Sequence, residues 1–135
     1  ALAVAEALPG PLRLLIVDDN ATARDILQGI AAGFGWQVET AGSGPEAIER
    51  LNAAARAGQA FDVLCIDWLM PGMDGWETVR RIRDVRGDGQ PPAILMITAH
   101  GREMLAERAG READPFDGYL VKPVTPSMLF DAVAE

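Results

Sequence analysis

The sequence contains a single cysteine, a single histidine and a single tyrosine among 135 residues. The lone Cys65 cannot form an internal disulfide bond, and its apolar neighbours predict a buried thiol, which fits a cytoplasmic protein. The lone His100 excludes a histidine-based metal site or catalytic triad within this chain. We interpret His100 as a surface loop residue, or else as one that modulates water access to a neighbouring pocket.

Basic residues and long apolar runs are scarce as well. The 12 Lys+Arg oppose 20 Asp+Glu, and the net charge of -8 has the wrong sign for direct binding to a nucleic-acid backbone. No apolar run approaches the ~18 residues of a membrane-spanning helix, so we expect no membrane contact. The length suits one hydrophobic core. We assign residues 11–135 to a single domain and residues 1–10 to a linker or N-terminal extension.

Strand-like and helix-like segments alternate five times along the chain. Nearly continuous apolar runs predict strands buried on both faces, and apolar residues at helical spacing fill the gaps. The predicted strands are Leu12–Val17, Gln37–Thr40, Phe61–Ile66, Ala93–Ile97 and Gly118–Val121. The predicted helices are Ala21–Phe34, Ser43–Ala57, Trp76–Arg86, Glu103–Ala109 and one that begins at Thr125–Pro126. Such alternation predicts an α/β protein with a doubly wound parallel sheet.

Polar side chains follow the predicted strands where each one ends. Asp18 and Asp19 follow the first strand, Asp67 the third, Thr98 the fourth and Lys122 the fifth. Taken singly, each has an ordinary role as a helix cap, a turn residue or a solvated charge. Because ligands of open α/β sheets bind beyond the carboxyl ends of the strands, we expect these five side chains to meet in one pocket.

Three carboxylates in one pocket need a compensating cation. Two like charges about 4 Å apart repel by roughly 4 kcal/mol at an effective dielectric constant of about 20. Mg2+ suits an all-oxygen site, and Lys122 supplies a second positive charge for a phosphate. Asp67 stands apart from the adjacent pair Asp18 and Asp19, so it is the best candidate nucleophile toward phosphorus. The Thr98 hydroxyl could donate to the transferring group.

Four motifs in this order resemble the landmarks of response-regulator receiver domains of the CheY-like superfamily. The motifs are Leu15-Ile16-Val17-Asp18-Asp19-Asn20, Asp67-Trp68-Leu69-Met70-Pro71-Gly72-Met73-Asp74-Gly75, Ile97-Thr98-Ala99 and Tyr119-Leu120-Val121-Lys122-Pro123. The resemblance covers the chain from about Leu12 to its end. It implies a flavodoxin-like (βα)5 fold with the sheet order 2-1-3-4-5, and a phosphoacceptor role in a two-component phosphorelay.

The same resemblance assigns a role to each site residue. It implies that Asp67 is the phosphoacceptor and that Asp19, Asp67 and the backbone carbonyl of Trp68 bind Mg2+, for which Mn2+ could substitute. Asp18 would assist through a water molecule. Lys122 would contact the phosphoryl group. The expected phosphoryl donor is a histidine kinase or a histidine phosphotransfer domain.

The resemblance also implies a conformational switch. Thr98 and Tyr119 match the pair of residues that reorient on phosphorylation, and Lys122–Pro123 matches a cis peptide bond. Phosphorylation-dependent dimerisation is a further expectation. Alternatively, Tyr119 is simply an aromatic residue of the fifth predicted strand and has no part in a switch.

Within the family, the sequence resembles receivers that are fused to hybrid sensor histidine kinases. The alternative is a stand-alone response regulator. The supporting stretches are Asp67–Pro71, Thr98–Glu103 and Lys122–Phe130. The domain by itself would have at most self-phosphorylation and dephosphorylation activity, whereas a parent kinase could be anchored in a membrane. Another alternative is a receiver that binds partners without being phosphorylated.

Two alternatives come from other functional classes. A haloacid-dehalogenase type of phosphatase also uses a strand-end aspartate, but its second acid would fall at Leu69, which cannot transfer a proton. The stretch Gly42–Ala47 fits the G-x-G-x-x-A pattern of dinucleotide-binding proteins. A capping box formed by Ser43 and Glu46 explains the same residues better.

Overall fold

The computed structural model describes residues 11–85, 92–99 and 117–134, which form a five-stranded parallel sheet flanked by helices. The strands are β1 (Arg13–Val17), β2 (Gln37–Ala41), β3 (Val63–Asp67), β4 (Ala93–Thr98) and β5 (Gly118–Val121). The helices in these ranges are α1 (Ala21–Gly33), α2 (Gly44–Arg56), α3 (Gly75–Val85) and α4 (Pro126–Ala134). The predicted helix Glu103–Ala109, His100 and residues 1–10 lie outside the described residues.

The sheet order is β2-β1-β3-β4-β5, and all four strand pairs are parallel, so the predicted doubly wound topology is confirmed. The chain leaves β1 for β2 on one side and then crosses to β3 on the other. This reversal opens a crevice at the carboxyl ends of β1 and β3. None of the helices in the described ranges has the length and apolar character that a membrane crossing requires.

The apolar strands form two cores, one on each face of the sheet. Alternate residues of β1 divide between them: Leu15 and Val17 pack with side chains of α2 and α3, whereas Leu14 and Ile16 pack with α1 and α4. All five residues of β3 are buried. Continuous hydrophobicity in β1, β3 and β4 therefore reflects burial on both faces, as expected for a parallel sheet between helical layers.

Side-chain caps fix where the helices begin near the carboxyl ends of the strands. The Asn20 side chain accepts a hydrogen bond from the Ala23 N–H and caps α1, while Ser43 caps α2 through the Glu46 N–H. The predicted capping box differs in one contact, because Glu46 Oε1 accepts from the N–H of Gly42, at 2.8 Å. These contacts give Gly42–Ala47 a structural role in starting the helix.

The last two helices also begin at capping residues. Thr125 Oγ1 accepts from the Met128 N–H at 3.2 Å, which confirms the predicted start of α4 at Pro126. Asp74 Oδ1 accepts from the Glu77 N–H at 2.8 Å and so caps α3. The Asp-x-x-Glu spacing of Asp74 and Glu77 is the sequence signal for this cap, and it places the start of α3 at Gly75, one residue before the predicted Trp76.

Cys65 lies in the middle of β3 and is fully buried, as predicted. Burial raises the pKa of the Cys65 thiol to about 12. We therefore expect no reaction of the folded protein with a thiolate-directed alkylating reagent near neutral pH, followed by rapid labelling in denaturant. Labelling measured by mass spectrometry across a urea series should follow global unfolding. Fast labelling in buffer alone would contradict the buried position.

Candidate functional site

The acids Asp18 and Asp67 lie side by side because β1 and β3 are adjacent and in register. Val17 pairs with Ile66, so the residues that come next on each strand, Asp18 and Asp67, reach the same edge of the sheet. The Asp18 N–H continues the pairing with β2 by donating to the Ala41 carbonyl at 3.1 Å. Both carboxylates thus project from the crevice where the strand order reverses.

Asp18, Asp19 and Asp67 form one carboxylate cluster. Each offers an oxygen that lies within 4.8 Å of the oxygens offered by the other two. Asp18 is 1% exposed and Asp67 is 7% exposed, whereas Asp19 faces solvent. Two buried acids and one accessible acid provide an oxygen-only site that retains access to water. The donor set therefore fits Mg2+ and leaves room for phosphoryl oxygens.

Lys122 joins the cluster from the far side of β4. Its Nζ lies 3.3 Å from Asp18 Oδ2 and 3.5 Å from Asp67 Oδ1. The Lys122 N–H donates to the Thr98 carbonyl at 2.8 Å, and the Lys122–Pro123 bond is cis, as predicted. The ammonium can therefore neutralise part of the charge on the acids and remain within reach of an incoming anion.

The electrostatics of the cluster favour an additional positive charge. Burial, followed by the charge of Asp18, raises the pKa of Asp67 to about 6, against the lowering effect of Lys122. Burial alone would lower the pKa of Lys122, but the carboxylates of Asp67 and Asp18 outweigh it and raise that pKa. A buried carboxylate beside a second acid is costly to ionise, so a cation at this position would stabilise the charged form of Asp67.

Two hydrogen bonds outside the predicted site hold the acidic loop. The Asn20 N–H donates to Asp18 Oδ1 at 2.9 Å, and Arg24 Nη1 donates to the Asp18 main-chain carbonyl at 2.7 Å. Arg24 follows Asp18 by six residues and lies in the first turn of α1. The only sequence signal was a basic residue in an otherwise acid-rich stretch, and this signal is too weak to identify a contact.

Gly75 brings the start of α3 against the end of β3. Its N–H donates to the Trp68 carbonyl at 2.7 Å, while the Trp68 N–H donates to the Ile97 carbonyl at 2.8 Å. A Cβ at position 75 would contact the Asp67 carbonyl oxygen and lie 2.9 Å from Trp68 Cα. The Trp68 carbonyl already accepts one hydrogen bond, so its predicted role as a metal ligand would require its second lone pair and stays a prediction.

Thr98 and Tyr119 lie on the same face of the sheet. Thr98, 1% exposed, is the last residue of β4, and Met96, two residues earlier, pairs with Tyr119 of β5. Side chains two apart on a strand share a face, and paired residues of neighbouring strands share one as well. Tyr119 is partly buried against the core on this face. The geometry brings the two residues into one region, and their switch role stays a prediction.

Comparison with known proteins gives concordant results. The sequence model described as "Response regulator receiver domain" matches residues 14–134. Chemotaxis protein CheY1 of Helicobacter pylori is 35% identical over 121 residues, which cover 87% of this chain and 90% of CheY1. Response regulator MprA of Mycobacterium sp. (strain KMS) is 38% identical over 114 residues, but the match spans 84% of this chain and only 45% of MprA.

Solved structures show the same architecture. Chemotaxis protein CheY4 of Vibrio cholerae superposes with a TM-score of 0.74 at 28% identity, covering 91% of this chain and 96% of that one. A chain of the CheX-CheY-BeF3-Mg+2 complex from Borrelia burgdorferi gives a TM-score of 0.75 at 25% identity, covering 90% of this chain and 85% of the other.

Proposed function

The chain belongs to the response regulator receiver domain family of two-component signalling, and we propose that it accepts a phosphoryl group from a phosphohistidine onto Asp67. One observation carries the proposal. The oxygens of Asp18, Asp19 and Asp67 converge while Lys122 Nζ lies 3.5 Å from Asp67. A carboxylate nucleophile, a cation site and a fixed ammonium are what acceptance of a phosphoryl dianion requires.

In the proposed reaction, a carboxylate oxygen of Asp67 forms a bond to phosphorus as the nitrogen–phosphorus bond of the donor breaks. The electron pair of that bond returns to the imidazole nitrogen, which takes up a proton from solvent. Lys122 offsets the charge on the transferring oxygens, and the Thr98 hydroxyl donates to one of them. Asp19, Asp67 and, through water, Asp18 would hold Mg2+, with Mn2+ as a substitute. The bound ion supplies further charge neutralisation.

The proposed output is a change of partner surface. Transfer of the phosphoryl group replaces the negative charge next to Lys122 with a larger anion that can accept hydrogen bonds from Thr98. Tyr119, on the same face of the sheet, would then repack. This is a population shift whose size is limited by the interactions that the phosphoryl group gains in the switched state.

We place the domain in a cytoplasmic phosphorelay with a histidine kinase or a histidine phosphotransfer domain as its partner. The motifs around Asp67, Thr98 and Lys122 favour a hybrid sensor kinase as the parent protein over a stand-alone regulator. Phosphorylation-dependent dimerisation is part of this proposal. Detection of a histidine-kinase catalytic region in the same gene would support the hybrid context, and a gene that encodes only the receiver would contradict it.

The acceptor role can be tested by incubating the protein with acetyl phosphate and Mg2+ and recording its intact mass. We expect one added phosphoryl group on the wild-type protein and none on Asp67→Ala, because that variant lacks the only proposed nucleophile. Asp131→Ala is the matched control, since it removes an exposed carboxylate of α4. A wild-type protein without an adduct, or an adduct that persists on Asp67→Ala, would refute the proposal.

A further inference from the structure

The guanidinium of Arg24 contacts the acidic loop through its main chain. Arg24 Nη1 donates to the carbonyl oxygen of Asp18 at 2.7 Å, a short charge-assisted hydrogen bond. The backbone of Arg24 is fixed by its own N–H, which donates to the Asn20 carbonyl at 3.0 Å in the first turn of α1. The side chain therefore reaches back from a rigid helix to the loop that carries the acids.

This contact constrains the main chain at Asp19. The Asp18 carbonyl belongs to the planar peptide unit that joins Asp18 to Asp19, so fixing its oxygen fixes the position of the Asp19 Cα. The other end of the loop is held by the Asn20 N–H, which donates to Asp18 Oδ1 at 2.9 Å. Asp19 is the exposed member of the cluster, and it has the most freedom to turn away from Asp67.

Arg24 is itself held in place by the turn that follows β2. A Cβ at Gly42 would lie 3.2 Å from Arg24 Nη1 and 3.6 Å from Glu46 Oε1, so the guanidinium and the Glu46 carboxylate both pack against Gly42. The hydrogen bond from the Gly42 N–H is the main cause that lowers the pKa of Glu46, and the charge of Arg24 contributes. Glu46 forms its ion pair with Arg50, at 3.2 Å, and its negative charge also attracts Arg24.

We propose that Arg24 is a positioning residue for the acid cluster: by holding the Asp18–Asp19 peptide, it keeps the Asp19 carboxylate directed toward Asp67 for cation binding. The inference rests on the proposed function, since it concerns the same Mg2+ site. Arg24 acts through the main chain of the loop and has no direct contact with the ion in this assignment. Residues that orient metal ligands in this way commonly change metal affinity by about tenfold or more.

The sign of the effect separates positioning from simple electrostatics. Arg24 is a cation near a cation site, so if charge alone mattered, Arg24→Ala would bind Mg2+ more tightly. Positioning predicts the opposite: we expect about tenfold weaker binding of Mg2+ by isothermal titration calorimetry, with α1 intact because alanine favours helix. Binding that is unchanged or tighter in Arg24→Ala would overturn the proposal.

A second variant moves Arg24 without changing any charge. In Gly42→Ala the new methyl group would crowd Arg24 Nη1, so we expect Mg2+ binding to weaken by about two- to fivefold. The loss should vanish when Gly42→Ala is combined with Arg24→Ala, because no guanidinium remains to be displaced. If Arg24→Ala does not fold, Gly42→Ala by itself tests the proposal. A Gly42→Ala protein that binds Mg2+ with wild-type affinity would overturn it.

Arg13→Ala is the matched control. Arg13 also donates to a main-chain carbonyl, from Nε to Gln59 at 3.1 Å, but it lies at the start of β1, about 16 Å along the strand from Asp18. We expect it to lower the melting temperature and leave Mg2+ affinity unchanged. If Arg13→Ala and Arg24→Ala weakened Mg2+ binding equally, Arg24 would contribute only to overall stability, and the positioning proposal would be overturned. A wild-type protein that binds no Mg2+ would instead refute the proposed function.

Discussion

Near pH 8 and without divalent cations, the Asp67→Asn variant should be more stable than the wild-type protein by about 1–3 kcal/mol. The pKa of Asp67 is raised from 3.8 to about 6, first by burial and then by the charge of Asp18. The wild-type fold must therefore hold an unfavourable carboxylate at this pH. An asparagine of similar size removes that charge, and it also removes the proposed nucleophile.

The pH dependence gives a direct check on the cause. Because the folded state binds the Asp67 proton more tightly than the unfolded state, the contribution of Asp67 to wild-type stability falls as the pH rises from about 4 to about 6. The extra stability of Asp67→Asn over the wild-type protein should thus reach its full size above about pH 6 and disappear below about pH 4. Urea unfolding across this range measures it, with exposed Asp131→Asn as the control. A variant less stable than wild type near pH 8 would contradict the assigned pKa.

Replacing Gly75 by alanine should destabilise the fold by about 2–4 kcal/mol and weaken Mg2+ binding. The added Cβ would meet the Asp67 carbonyl oxygen and lie 2.9 Å from Trp68 Cα, and both are main-chain atoms that cannot rotate away. Relief requires α3 to move from the end of β3, which displaces Asp67. Chemical denaturation and calorimetric titration with Mg2+ measure the two effects.

Gly29→Ala provides the matched control for Gly75→Ala. Gly29 lies inside α1, and a Cβ there would have nothing within 4 Å. Alanine in an exposed helix interior is favoured over glycine, so we expect a gain of about 0.5–1 kcal/mol with unchanged Mg2+ binding. If both alanine variants shifted stability in the same direction, close packing at Gly75 would not be the cause.

The fold could be predicted from sequence to a large extent because strong physical signals coincide in it. Each predicted strand corresponds to an observed one, with ends that shift by at most two residues. The start of α4 followed from Thr125 and Pro126, and the start of α2 from Ser43. Continuous apolar runs need burial on both faces, and caps satisfy the first N–H groups of a helix, so both signals are local.

The contacts around the acids could not be predicted in the same way. The sequence did not indicate that Arg24 contacts the Asp18 carbonyl, that Glu46 bonds the N–H of Gly42, or that Gly75 occupies one lone pair of the Trp68 carbonyl. Each depends on the direction of a main-chain group in a loop. Such directions follow from the packing of helices on strands distant in sequence, and no local pattern encodes them.

The sequence by itself determined the alternation of strands and helices and the polar residues at the strand ends, because periodicity and capping act between near neighbours. Tertiary structure decided the rest. Only the parallel register of β1 with β3 brings Asp18 beside Asp67, and only the path through β4 and β5 brings Lys122 within 3.5 Å of that pair. The burial of Asp67 and its short distance to Asp18, which together raise its pKa, both arise from this packing.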